Sequence, residues 1–156
     1  MRKSKRRVSE GPQEIYFARK SILLDTHVWF WLMSEDRRLM NSKRLNEIQN
    51  ARVFGQIKVS AISVWEIGLL GSKGRIFFPF TCLEWVHEAL NAPGISLVPI
   101  SPEIAVEASY LPGHFHGDPA DRIIVASARV MELTLLTRDR SIIKYGKDGY
   151  LEVREV

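Results

Sequence analysis

The chain has 156 residues, of which 46% are hydrophobic and 26% charged, and a formal net charge of +4. Such a length suits one domain, large enough to bury about two-thirds of its unfolded surface. The single cysteine, Cys82, excludes an internal disulfide, and no apolar run approaches the ~18 residues a membrane span requires, so a cytoplasmic protein with no membrane partner is expected.

The positive charge is concentrated at one end. Residues 1–20 carry seven Lys/Arg (Arg2, Lys3, Lys5, Arg6, Arg7, Arg19, Lys20) against Glu10 and Glu14, whereas residues 21–156 carry fifteen basic and sixteen acidic side chains. The basicity belongs to a leader over residues 1–20, read as a solvated, flexible tail, and the folded domain is expected over 21–156.

After the leader, Ser21 to Leu24 is an almost wholly apolar run ending in Asp25, the pattern of a central parallel strand covered on both faces. Thr26 to Met33 continues as a short helix, and Glu35 to Ala51 reads as a polar amphipathic helical stretch. Lys58 to Ser60 ends a second strand. Ser63-Val64-Trp65-Glu66 is an S-x-x-E sequence, a capping box that would open a helix to about Leu70. A further helix is expected from about Cys82 to Leu90, with Leu83, Val86 and Leu90 on its apolar face. Ile95 to Ile100 forms a third strand, and Ser101-Pro102 starts a helix to about Tyr110.

The segment His116-Gly117-Asp118-Pro119-Ala120-Asp121-Arg122 then opens a helix to about Glu132, with Asp118 as N-cap and Pro119 at the first helical position. Thr134 to Thr137 is a fourth strand, followed by Arg138-Asp139. Ser141 to Tyr145 suits one helical turn, and Leu151 to Val153 a fifth strand. Strands alternating with helices define an α/β class, a three-layer α/β/α sandwich on a central, mainly parallel five-stranded sheet.

In open α/β sheets ligands bind beyond the carboxyl ends of the strands, which is where Asp25, Glu66, Asp118, Asp121 and Asp139 fall. Each acid alone also has a structural role as a helix cap or first-turn acid. Together they are harder to account for, because two carboxylates at ~4 Å repel by about 4 kcal/mol at an effective dielectric near 20. An oxygen-only cluster suits magnesium or manganese rather than zinc, and such ions equip a site for phosphoryl chemistry.

The blocks Leu23-Leu24-Asp25-Thr26-His27, Ser63-Val64-Trp65-Glu66, His116 to Arg122 and Leu136-Thr137-Arg138-Asp139 resemble the four signature blocks of PIN domains. More narrowly they are similar to VapC-type toxins of bacterial toxin–antitoxin pairs, in the D-P-x-D-R variant, with Ala120 where that variant carries an aromatic. The resemblance implies a Mg2+- or Mn2+-dependent endoribonuclease that hydrolyses RNA with a metal-activated water, often dimeric and neutralised by a small antitoxin protein. It places the catalytic tetrad at Asp25, Glu66, Asp121 and Asp139, with Asp118 a second metal ligand or only a cap.

Thr26 and Thr137 are candidate supports for a metal water or a neighbouring carboxylate, and Arg122 a candidate phosphate contact or a screen for the acids. His27, His114 and His116 are read as loop or packing residues. Trp29, Trp31, Trp65 and Trp85 are read as core or dimer-interface residues. The competing readings are a non-catalytic RNA- or protein-binding module on the same fold, or a nuclease acting on DNA or in RNA processing.

Overall fold

The computed structural model describes residues 20–156, so the leader expectation lies, Lys20 apart, outside the described residues. The elements are β1 (Ile22–Leu24), α1 (Thr26–Met33), α2 (Arg37–Met40), α3 (Leu45–Val53), β2 (Ile57–Ser60), α4 (Ala61–Ser72), α5 (Cys82–Asn91), β3 (Ile95–Val98), α6 (Pro102–Ser109), α7 (Pro119–Val130), β4 (Thr134–Thr137), α8 (Arg140–Lys147) and β5 (Val153–Glu155). All five strands run parallel in the order β3-β2-β1-β4-β5. The chain winds outward from β1 through β2 to β3, then crosses back to lay β4 on the other side of β1.

The two innermost strands explain their own composition. Ile22, Leu23 and Leu24 are buried at 4%, 0% and 0% exposure. Successive side chains in a strand point to opposite faces. Ile22 and Leu24 accordingly join a core with Trp29, Leu39, Ile48 and Trp85, while Leu23 joins a second core with Ile104, Ile124, Val125 and Tyr145. The sheet is therefore the middle of three layers, as the apolar runs predicted. The edge strands β3 and β5 stay partly open, which is why their sequences are less uniformly apolar.

Several boundaries differ from the sequence expectation. The polar stretch after α1 is two helices, α2 and α3, because Glu35 takes a left-handed φ of 51° and Asp36 then caps a separate turn. The Ser60 hydroxyl, not Ser63, caps α4; the only requirement was a hydroxyl at the strand end, and two serines were available. The capping box that does form is Thr81 with Glu84 at the start of α5. Trp85, Val86 and Ala89 form the buried face of α5, and Leu83 is 66% exposed. The turn after β4 extends into the two-turn helix α8, and β5 begins two residues later than expected.

Gly94 sits at the entry to β3 with φ +81°, its carbonyl accepting from the Ile57 amide to begin the β2–β3 ladder. A Cβ there would run into the Arg52 carbonyl. Gly94→Ala is expected to cost about 2–3 kcal/mol and to lower the thermal midpoint by about 5–10 °C. Calorimetry checks this, and an unchanged midpoint contradicts it.

Candidate active site

The winding reverses direction between β1 and β4, and such a switch point opens a crevice at the carboxyl ends of the two strands. Asp25 follows β1 at this point. Its amide donates to the Leu136 carbonyl of β4 (3.0 Å), so the carboxylate is fixed relative to both strands. The carboxylate is 4% exposed. Its Oδ1 accepts from the Thr26 amide (2.7 Å) and its Oδ2 from the Thr137 hydroxyl (2.6 Å). Thr137 Oγ1 in turn accepts from the Asp139 amide at 2.9 Å. The two threonines expected to support a carboxylate therefore both do so, since the Thr26 hydroxyl donates to Glu66 Oε1 (2.5 Å) and lies 2.8 Å from Ser63 Oγ.

Ser63 is fully buried within α4, so the Ser63–Glu66 spacing serves not a cap but a hydroxyl bridge from α4 to α1. The structural alternative for Glu66, a capping-box acid, is thereby removed. For the aspartates, capping and clustering turn out to be the same arrangement. Asp25, Asp118 and Asp139 are the N-caps of α1, α7 and α8, so three helix N-termini, each with a partial positive charge, face the same edge. Asp139 Oδ1 takes the amides of Ser141 and Ile142, at 2.8 and 2.9 Å, and Asp118 Oδ1 takes that of Asp121 at 3.0 Å. In both, Oδ2 is left without a protein partner among the described residues.

The acids act on one another. Asp121, in the first turn of α7, is pushed up from the usual 3.8 to about 7, first by burial and then by the charges of Asp25, Asp118, Asp139 and Glu66. Burial likewise raises Glu66; the Thr26 hydrogen bond opposes it, and Asp25 and Asp118 add to it. A proton resident on Asp121 near neutral pH is one way for the fold to tolerate so much like charge, and the helix dipoles are another.

A divalent cation would act in the same sense. The donors are hard carboxylate oxygens, the set that magnesium and manganese prefer. Among the described residues, no group of three or more acid, histidine or cysteine side chains is gathered tightly enough to enclose an ion as it stands. The chemistry of the donors fits such an ion, and coordination requires carboxylates to turn towards a common point.

Arg122 faces away from the acids. Its guanidinium donates to the carbonyls of Ala108 (2.8 Å), Phe115 and His116 (both 3.1 Å) and Ser109 (3.4 Å). These contacts correct the expectation of a phosphate contact or charge screen: the side chain staples the end of α6 and the loop after it to the start of α7. Two histidines assigned to packing belong instead to the site, for His116 Nε2 lies 3.3 Å from Asp121 Oδ2 and His27 Nδ1 lies 3.6 Å from Asp25 Oδ2. Their positions next to the acid blocks were the available signal. His114 makes no such contact. Trp29, Trp31 and Trp85 are buried, whereas Trp65 is 57% exposed on α4.

A three-layer sandwich on a parallel β3-β2-β1-β4-β5 sheet, with acids gathered at its switch point, is the architecture of a PIN domain. The chain belongs to the PIN-domain family, whose model matches residues 22–148 and so takes in all five acids. It is similar to ribonuclease VapC22 of Mycobacterium tuberculosis, being 35% identical over 122 residues that cover 78% of this chain and 89% of that protein. It thus bears out the VapC-type resemblance read from the four blocks. In fold it is similar to the DNA-bound VapBC of Salmonella typhimurium, with a TM-score of 0.62 at 13% identity over 87% of this chain and 98% of that one. VapBC2 of Rickettsia felis, bound to a promoter DNA fragment, gives a TM-score of 0.60 at 16% identity over 86% and 97%.

Proposed function

We propose that the chain is a divalent-metal-dependent endoribonuclease, the toxin of a toxin–antitoxin pair. The observation that carries this is the electrostatic coupling of five carboxylates at one sheet edge, with Asp121 raised to about 7 by burial and then by the charges of the other four. The relative named a ribonuclease, at 35% identity, supplies the nucleic acid class. Asp25, Glu66, Asp121 and Asp139 are the residues that would hold the ion, with Asp118 adding charge at the rim. When bound, a magnesium or manganese ion supplies Lewis acidity, a more acidic water and neutralisation of phosphate charge.

The chain's own residues do the rest. Thr137 and the Thr26 amide fix the Asp25 carboxylate, the Thr26 hydroxyl orients Glu66, and the N-termini of α1, α7 and α8 direct positive potential at an incoming phosphate. Water is the nucleophile, attacking phosphorus and displacing a ribose oxygen. The cut ends should therefore carry no cyclic phosphate, whereas attack by the neighbouring ribose hydroxyl would leave one.

Incubation with structured RNA, transfer RNA and single-stranded DNA tests the reading. RNA cleavage that stops in excess EDTA and leaves linear phosphate ends is expected. Cleavage that persists in EDTA, or cyclic phosphate ends, would overturn it. The absence of a preformed three-ligand group among the described residues favours a second reading, a binding module without turnover, which predicts tight RNA binding and no cleavage under any metal.

A small inhibitor protein and a second copy of the chain are the partners this reading calls for. Exposed Trp65, Phe77 and Leu83 on and around α4 and α5 offer apolar surface suited to either. Among the described residues no helix is long and apolar enough to cross a membrane.

A further inference from the structure

His27 and His116 lie on different elements, 89 positions apart in the chain, yet they are built into the site in the same way. The His116 ring accepts the Asp118 backbone N–H at Nδ1 (3.3 Å) and turns Nε2 to Asp121 Oδ2 at 3.3 Å. The His27 ring accepts the Arg138 backbone N–H at Nε2 (3.2 Å) and turns Nδ1 to Asp25 Oδ2 at 3.6 Å. A ring nitrogen that accepts from an amide carries no proton, so in the neutral ring the proton sits on the other nitrogen. In both residues that nitrogen faces a carboxylate of the cluster. The two tautomers are opposite, because the amides approach from opposite ends of the ring.

We propose that His116 and His27 are positioning residues, each clamped by a main-chain N–H so that its remaining N–H holds Asp121 or Asp25 in place. The clamps are themselves supported. Arg122 fixes the His116 carbonyl, and the Asp118 amide that orients the ring belongs to the N-cap of α7. The segment from His116 to Arg122 is thus one unit: cap, clamp and staple all serve the placement of the Asp121 carboxylate. His27 is braced on its other side by the Trp31 ring, edge-on at 4.9 Å. The two N···O separations are longer than a close hydrogen bond, and Asp25 is already held by Thr137 and the Thr26 amide, so the histidine's influence is expected to be larger at Asp121, where it biases which oxygen is presented. For Asp121 the oxygen presented is Oδ1, which has no protein partner among the described residues. Holding a ligand carboxylate through a second side chain is a known means of tuning a metal site, and here the inference rests on the metal-dependent reading above.

Two measurements test it separately from that reading. Nitrogen NMR of the metal-free protein at mildly alkaline pH reports the tautomers directly. His116 should be protonated at Nε2 and His27 at Nδ1, and the same tautomer in both, or the reverse pair, overturns the proposal. Manganese titration into variants then tests the donors. His116→Ala should weaken binding by about 10–100-fold, and His116→Gln, whose amide nitrogen falls where Nε2 was, should restore it while His116→Asn does not. For His27 the order is inverted, because Asn places its nitrogen where Nδ1 was. Equal rescue by both amides, or undiminished binding in the alanine variants, overturns the proposal. A wild-type protein that binds no manganese overturns the metal-dependent function, while the tautomers still decide the positioning.

Discussion

Asp25→Asn should reduce RNA cleavage by about a thousandfold or more without unfolding the protein. Asp25 is the most buried of the acids and the one fixed to both central strands, through its amide to Leu136 and its Oδ2 to Thr137. Asparagine keeps the shape and still accepts the Thr26 amide, but it removes the charge. Ion-mediated stabilisation of a transition state amounts to several kcal/mol, and each ~1.4 kcal/mol is a factor of ten in rate. Removing a carboxylate from a crowded acidic site also relieves repulsion, so the metal-free thermal midpoint should not fall. A variant that cleaves RNA at the wild-type rate would remove Asp25 from the chemistry, and one that is inactive because it melts far earlier would make the effect structural.

Asp121→Asn should stabilise the metal-free protein at neutral and alkaline pH and abolish its stabilisation by magnesium or manganese. The native carboxyl takes its proton at about 7, against 3.8 ordinarily. Between those values the folded state binds a proton that the unfolded state has released. For this group, stability therefore falls as pH rises from about 4 to about 7 and is constant above. Asparagine has no such penalty. The gap between variant and wild type should thus open across that range and close below it.

Holding that proton about a thousandfold more tightly than an ordinary aspartate corresponds to about 4 kcal/mol. With 23% of the Asp121 side chain open to solvent, screening reduces this to about 1–2 kcal/mol, or about 3–6 °C in midpoint. Adding the divalent ion should reverse the order, raising the wild type and leaving the variant unmoved. A variant midpoint at or below wild type at alkaline pH would mean that Asp121 does not bear the charge of its neighbours.

The surroundings of both residues were partly legible in the sequence. Apolar runs ending in Asp25 and in Thr137-Arg138-Asp139 announced buried parallel strands with acids at their tips, because a doubly covered strand has no polar face to offer. Asp118-Pro119 announced a helix start for equally local reasons. Convergence of the acids follows from topology. Three helix N-termini and a proton on Asp121 help the fold to tolerate their proximity.

What stayed hidden were contacts with no periodicity. Nothing local distinguishes Ser60 from Ser63 as a cap, or shows that Glu66 will meet the Thr26 hydroxyl across two helices. Arg122 reaches two carbonyls at the end of α6 and two in the loop after it, whose path only the tertiary structure defines. A histidine near an acid in sequence, as His27 and His116 are, says nothing of which ring nitrogen will face the carboxylate. Leu83 misled by matching the helical spacing of Val86 and Leu90, while Trp85 supplied the larger apolar area and took the core side of α5.

Asp25, Glu66, Asp121 and Asp139 are proposed to hold a divalent ion between them. Anomalous diffraction at the manganese edge, from crystals soaked in a manganese salt, addresses it without reference to any substrate. The expected result is a peak bounded by the Asp25 carboxylate and at least one other of the four, lost in Asp25→Asn crystals. Soaked crystals with no peak among these carboxylates, or with manganese only at unrelated surface acids, would show that the four do not form a metal site.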